Sequence, residues 1–327
     1  MIISKAYRVI YNNFIAVILK KTTTATFWYI PDTPNLINKE RLSDYLTMKP
    51  SPIYPINYQG KLKYNLKHPE SGIIALQYDQ PIGQQINPEA AFQYALGLHD
   101  RYVHQKSDAD LKDFLHYADY FLAQQSSDGD WYYQFDWYIS KAPWTSALAQ
   151  SRGASVMLRA WFLTKNEAYL RSAKLALSKF MLDISKGGYL HRFDEANCDY
   201  FEEYPKAPSG VINGFMASIF ALWELTIWTQ DSDIQQMFDM SILSLEKMLP
   251  YYTLNWWTLY DRRKKYCLLN INSPYYHKLQ LNYMVCLALI SNSEVLKMYA
   301  HKWHKDLTPF NKFKSVMNKF LFKVLEY

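Results

Sequence analysis

The sequence predicts a mainly α-helical fold: an incomplete (α/α) toroid of helical hairpins, with short β-hairpins at its open end and a short extended arm in front. Three observations predict it. Helical periodicity dominates from Asn87 onward. Helical segments come in pairs that recur at roughly 60-residue spacing, a period that marks a repeat of one supersecondary unit. Each pair is separated from the next by a short aromatic run, and those connections line the end where a site is expected.

Residues 1–80 read as the arm. Pro31, Pro34, Pro50, Pro52, Pro55 and Pro69 punctuate short runs such as Ile53-Tyr54-Pro55-Ile56 and Tyr58, which suits a few short strands laid on a larger body. The apolar patch from Phe14 to Leu19, flanked by Lys20 and Lys21, is too short to cross a bilayer core of about 30 Å. It allows at most peripheral membrane contact, and no convincing signal-peptide cleavage site follows it. Residues 81–327 form the expected toroid domain.

Within that domain Pro88 suits a first helical turn, and Ala91, Tyr94, Ala95, Leu98 and Tyr102 follow at helical spacing. A second helix starts near Asp108. The turn Ser127-Asp128-Gly129-Asp130 leads to Trp131-Tyr132-Tyr133-Gln134-Phe135 as an extended piece. Helices over 144–163 and 167–181 precede Gly187-Gly188 and the run 189–193. Helices over 211–228 and 233–249 precede Trp256-Trp257-Thr258-Leu259-Tyr260. The stretch from His277 onward reads as helical and closes the ring, and 310–327 suits a final amphipathic helix or a free tail.

The loop 200–211 organises the rest. Pro205 and Pro208 forbid a helix across Glu202-Glu203-Tyr204, so two carboxylates and a phenol sit on a rigid loop ahead of a buried helix. That is a common way to fix catalytic groups, although the acids read equally well as solvated loop residues.

Composition narrows the function class. Hydrophobic residues make up 49% of the 327 positions, enough for a sizeable core. The 28 tyrosines and 10 tryptophans offer flat faces that suit sugar rings or a helical core. A net charge of +6 favours an anionic partner weakly. Its densest part is Lys302, Lys305, Lys312, Lys314, Lys319 and Lys323, which reads first as a solvated helix face. Nothing supports nucleic-acid binding. Cys198, Cys267 and Cys286 form no CxxC pair, which fits a reducing compartment. The histidines show no metal-site spacing, and no nucleophile elbow or nucleotide loop is present. A glycine inside Gln150-Ser151-Arg152-Gly153 weakens a helix by about 1 kcal/mol, so a close approach by a partner helix or ligand is expected there.

In combination these positions resemble the D-glucuronyl C5-epimerase family. The resemblance rests on Pro143-Trp144-Thr145-Ser146-Ala147-Leu148-Ala149-Gln150 with Gly153 and Leu158-Arg159-Ala160, and on Glu202-Glu203-Tyr204-Pro205 before Val211-Ile212-Asn213-Gly214-Phe215. Tyr260-Asp261 with Arg263, and Tyr276-His277 near Leu279, continue it in the same order, over roughly residues 75–305. Ser151-Arg152 departs from the family's Gly-Gln, and Gln280 stands where histidine is common.

The resemblance implies conversion of D-glucuronate to L-iduronate within a heparosan-like polysaccharide. It points to Glu203 and Tyr276 as the acid–base pair, with Tyr204 and Tyr260 as supporting donors or an alternative acid. The hydrogen on carbon 5 is barely acidic, so the carboxylate beside it must be neutralised as charge develops, a role that suits Arg263. Trp144, Gln150, Asn213 and His277 are expected to bind or orient sugar, and Trp131 and Tyr133 to stack on a flanking unit. The chemistry calls for no cofactor, and a structural calcium stays open. A homodimer follows by analogy with the family. Action on a nascent polymer at the cytoplasmic face of the membrane is the simplest location. Rival readings are a polysaccharide lyase, a glycoside hydrolase pairing Asp130 with Glu203, and a non-catalytic polymer-binding protein.

Overall fold

The computed structural model describes residues 24–47, 51–137 and 140–326. The patch Phe14–Leu19 with its two lysines, and Pro50, lie outside the described residues. The arm contributes two short helices, α1 (Thr24–Trp28) and α2 (Lys39–Thr47). It also forms two minimal antiparallel ladders, β1 (Thr33–Pro34) with β2 (Ile56–Asn57) and β3 (Leu76–Gln77) with β4 (Gln84–Gln85). Prolines keep these strands short by removing ladder donors. A 3-10 turn over Gln59–Lys63 lies between the ladders.

Helices then come in pairs: α3 (Pro88–Gln105) with α4 (Asp108–Gln124), and α5 (Ala147–Thr164) with α6 (Glu167–Leu177). They continue as α7 (Ile212–Thr229) with α8 (Ser232–Tyr252), and α9 (Pro274–Ser291) with α10 (Glu294–Lys305). The first member of every pair is 18 residues long. Each pair turns through the same two-residue corner. Lys106, Lys165, Gln230 and Asn292 adopt left-handed backbone at the helix end. The next residue, Ser107, Asn166, Asp231 or Ser293, caps the following helix with its side-chain oxygen. The left-handed residue ends one helix while the cap satisfies the first free N–H groups of the next, so the chain must return antiparallel.

Helices α3, α5, α7 and α9 pack side by side in chain order, each backed by its partner. One returning helix separates each from the next, so all four run in the same direction. These first members are buried around much of their circumference; α7 is buried without a break from Ile212 to Leu225. The arm lies against both ends of the row: the 3-10 turn and β2 pack on α3, while β1 and α2 pack on α9. Tyr54, Ile56 and Tyr58 are fully buried there. Gly97 on α3 is needed for this contact, since a Cβ would stand 2.6 Å from the Tyr58 carbonyl oxygen.

Two of the connections between pairs carry antiparallel hairpins, β5 (Leu190–Phe193) with β6 (Cys198–Phe201) and β7 (Leu259–Lys265) with β8 (Leu268–Ile271). The first connection differs from expectation. Trp131–Phe135 forms no ladder, only an isolated bridge between Tyr133 and Trp144. That bridge holds Trp144 extended, so α5 starts at Ala147 and not at Trp144. The terminal segment folds as α11 (Pro309–Glu326), which packs on the β7–β8 hairpin and on α9.

Charge is buried between the helices. Arg159 on α5 donates to both carboxylate oxygens of Glu224 on α7, at 3.1 and 2.5 Å. Ser155 and Tyr45 add hydrogen bonds to the same carboxylate at 2.6 and 2.9 Å. Breaking one partner of such a pair strands the other without compensation. Glu224→Ala is therefore expected to lose about 3–5 kcal/mol in urea unfolding. Lys297→Ala, at the exposed Glu294 pair, should lose no more than about 0.5 kcal/mol.

Candidate active site

The connections between pairs return the chain to the N-terminal ends of α3, α5, α7 and α9, and the candidate residues gather there. Glu202 and Glu203 leave β6 in opposite roles. The Glu202 carboxylate is buried and accepts from the Tyr200 hydroxyl at 2.6 Å and from the backbone N–H groups of Tyr204, Ser209 and Gly210 at 3.0, 3.1 and 2.9 Å. Four donors on one carboxylate fold the proline-bounded loop around it. The Glu203 carbonyl accepts from Ala147 at the start of α5, which docks the loop onto the helix row.

The Glu203 side chain turns under the first turn of α7. Gly214 makes room for it, since a Cβ at that position would lie 2.7 Å from Glu203 Oε2. Glu203 is buried, and its Oε2 has no hydrogen-bond partner. Burial, with smaller contributions from the charges of Glu89 and Glu202, pushes its carboxyl up to about 8 against the pull of Tyr204 and Arg152. Tyr204, Tyr260 and Tyr276 are half-buried beside it. Burial first, and then neighbouring groups including Glu203, hold all three phenols above their ordinary value. Tyr276 stands in the first turn of α9, edge-on to Tyr260 with ring centres 5.1 Å apart.

Asn213, in the first turn of α7, is buried with neither amide atom hydrogen-bonded. Buried polar groups are nearly always paired, so these atoms and Glu203 Oε2 mark where a polar ligand or water would bind. The ends of four parallel helices add partial positive charge, which favours an anion.

Two further residues complete the floor, and no motif revealed them. Glu89, in the first turn of α3, accepts from Gln93 at 2.7 Å and from Arg152, and its Oε2 lacks a partner. Burial pushes its carboxyl up to about 7. Arg152 also donates to the Tyr283 hydroxyl and lies 5.2 Å from the Tyr58 ring centre. An acid at the start of a helix looks ordinary in sequence. The arginine in the apolar run of α5 was the one available signal.

Arg263 stands at the rim. Its side chain is 45% exposed and donates through Nε to the buried Asp261 at 2.7 Å. Asp261 also accepts from the Arg263 backbone at 3.0 Å and from Asn270 at 2.8 Å, which fixes the guanidinium's base. Its charge reaches the Tyr260 phenol.

Several expected sugar contacts are structural instead. His277 is fully buried, stacked on Trp257 at 3.9 Å. Its Nδ1 meets Thr258 Oγ1 at 2.8 Å and its Nε2 meets the Trp303 carbonyl at 2.9 Å. Burial pushes the imidazole down to about 4, leaving a neutral tie between α9, the hairpin and α10. Gln150 clamps the backbone of Trp131 from both sides at 3.1 and 3.0 Å and donates to Thr145 at 2.9 Å. Trp131 is a core residue whose indole donates to the Phe121 carbonyl at 2.7 Å. It and Phe92 occupy the space over Gly153, so the glycine serves side-chain packing and not a ligand. The Tyr133 ring is covered by Trp144 at 3.8 Å and offers no face to a sugar, while its hydroxyl is close enough to feel the Glu89 and Glu203 charges. Trp144 is buried by the same stack, with its indole N–H on the Phe135 carbonyl at 2.8 Å. Gln280 likewise ties Asn272 to α9, at 2.7 Å. Asp130, the second acid of the hydrolase reading, is held by Lys179 at 2.5 Å and Tyr189 at 2.6 Å. Among the described residues no group of three or more His, Cys, Asp or Glu could hold a metal ion.

The raised Glu203 carboxyl has a consequence for stability. Unfolded, it loses its proton near 4.5, and folded near 8. Between those values the folded chain binds more protons, so stability falls as pH rises, and the full cost stands above pH 8. Glu203→Gln is expected to match the wild type near pH 5 and exceed it by on the order of a few kcal/mol at pH 9, read from urea melts.

Residues 124–305 match the family described as D-glucuronyl C5-epimerase C-terminus. The D-glucuronyl C5-epimerase of Caenorhabditis elegans is 29% identical over 222 residues, which cover 62% of this chain and 36% of the worm protein. The chain thus spans about a third of that curated relative's length. An uncharacterized protein of Methanocaldococcus jannaschii is 25% identical over 327 residues, covering 93% of this chain and 100% of its own. Among solved structures, a family 76 glycoside hydrolase (mannosidase) of Bacteroides thetaiotaomicron aligns with a TM-score of 0.46 and 14% identity, over 72% of this chain and 62% of that one. Over the region that carries Glu203, Tyr260 and Tyr276, the chain belongs to the D-glucuronyl C5-epimerase C-terminal family.

Proposed function

We propose that this protein epimerises D-glucuronate to L-iduronate at carbon 5 within a heparosan-like acidic polysaccharide. The observation that carries the reading is the buried, partnerless Glu203 Oε2, with the Tyr204, Tyr260 and Tyr276 phenols close enough to feel the Glu203 charge, at the ends of parallel helices. We read the helix row with its arm as an incomplete (α/α) toroid, its open end holding the uronate.

Glu203 Oε2 takes the proton from carbon 5. The C–H bond breaks, and its electron pair flows into the adjoining carboxylate as an enediolate. Asn213, the helix ends and Arg263 from the rim stabilise that charge. Tyr276 then gives its phenolic proton to carbon 5 on the opposite face, and solvent exchange restores both groups. A carboxyl near 8 is poised to act as base or acid close to neutrality. The raised phenol keeps its proton until the carbanion takes it, which suits a donor. Tyr204 and Tyr260 orient Glu203 and Tyr276. The chemistry needs no cofactor. A homodimer acting at the cytoplasmic face of a membrane fits the same reading.

Incubation with unsulfated and N-sulfated heparosan in heavy water tests it by proton NMR. Deuterium at carbon 5 with iduronate signals is expected. Unchanged polymer across several acidic polysaccharides overturns the reading, and new ultraviolet absorbance from an unsaturated uronate would assign β-elimination instead. Glu203→Gln and Tyr276→Phe should each lose about a hundredfold or more of exchange while staying folded. With Glu203 as base, exchange should rise with pH until about 8.

A further inference from the structure

The last helix presents an apolar face that nothing among the described residues covers. Helix α11 rests on the β7–β8 hairpin through a narrow strip, with Ser315 and Phe322 buried. On the opposite side, Phe310 is 73% and Phe313 66% exposed, and Met317, Leu321 and Leu325 continue the exposed stripe at three- and four-residue spacing. The segment contains four lysines, and its one acid is the terminal Glu326. Two of the lysines seat the helix: Lys314 lies over the Trp256 ring at 3.9 Å, and Lys319 donates to Asn270 at 2.5 Å.

Beside the helix start runs a groove of about 830 Å³ between α9 and α10. Its floor is apolar, from Leu281, Val285, Ala300 and Leu307, and Lys278, His301, His304 and Lys312 edge it. Lys312 belongs to both groove and helix, so basic charge runs continuously from one to the other. None of the candidate catalytic residues lines this groove.

We propose that α11 and this groove seat the protein on an anionic phospholipid surface, the exposed stripe entering the interface and the basic edge meeting headgroups. A basic helix with aromatic and aliphatic residues on its free face is the composition that lies in a membrane interface. A second copy fits less well, since pairing the same face of two copies would set the basic groove edge, Lys278 and Lys312, against its own counterpart. Among the described residues no helix is long and apolar enough to cross the membrane.

The test is co-sedimentation of the full chain with phosphatidylcholine vesicles, with and without added phosphatidylglycerol, at low and high salt. Binding is expected to the anionic vesicles, to weaken with salt, and to be lost from neutral ones. A lysine at such a surface is worth about fivefold in partitioning, so Lys278→Glu with Lys312→Glu should cost at least about tenfold. Phe310→Ser with Phe313→Ser should lower binding similarly, with circular dichroism confirming the fold of both exposed variants. Equal partitioning to neutral and anionic vesicles, no binding, or wild-type binding by either double variant overturns the proposal. So does sedimentation velocity that reports a dimer abolished by Phe310→Ser, which would assign the face to self-association. Each readout is independent of epimerase activity.

Discussion

Two guanidiniums on one helix hold this fold together. Arg152 and Arg159 are seven residues apart on α5, so they project from one face about two turns apart. Arg159 reaches Glu224 on α7, and Arg152 reaches Glu89 on α3. The middle helix is thus bound by charge to the neighbour on each side, in a region closed to water. Such pairs offset their desolvation only with further hydrogen bonds and cover around them; here Arg152 Nε, Arg159 Nε and Glu89 Oε2 are left without a partner. The arm supplies much of that cover: the Tyr54 ring lies 5.3 Å from Arg159, the Tyr58 ring 5.2 Å from Arg152, and the Tyr45 hydroxyl bonds Glu224. A proline-broken segment is therefore part of the core. Its aromatic faces meet charges that an aliphatic arm would leave bare.

The same arrangement prepares the site. Because the paired helices alternate in direction, every first helix starts at one end of the molecule, and every connection returns there. The four helix ends create a positive field, while the connections deliver carboxyls and phenols into it. Within the loop before α7, adjacent acids do unlike work. Glu202 spends its lone pairs on the backbone, and Glu203 keeps one oxygen unpaired. Burial raises the second carboxyl, and the Arg152–Glu89 pair below brings one opposing and one reinforcing charge to it.

Much of this was legible in the sequence. The repeat of helix pairs was visible because helical periodicity and corner residues are local properties of the chain. The resemblance identified Glu203, Tyr204, Tyr260 and Tyr276, which do converge. Less legible were the roles of polar and aromatic residues drawn from the same motifs. His277, Gln150 and Trp131 look like sugar contacts in a line of text, yet each is committed to a partner 10 to 26 positions away. A motif cannot say which face of a side chain is already covered. Tyr133 shows the point most directly, its ring taken by Trp144 while its hydroxyl stays near the acids.

By itself the sequence determined the helical repeat, the loop that carries two acids, and membership of an epimerase family, since these depend on residue order and short-range spacing. Only the tertiary structure separated Glu202 from Glu203, revealed Glu89 and Arg152 beneath them, and turned the basic tail into a packed helix with an apolar outer face. Those outcomes depend on burial and on contacts between helices far apart in the chain. Neither is encoded in any single stretch of residues.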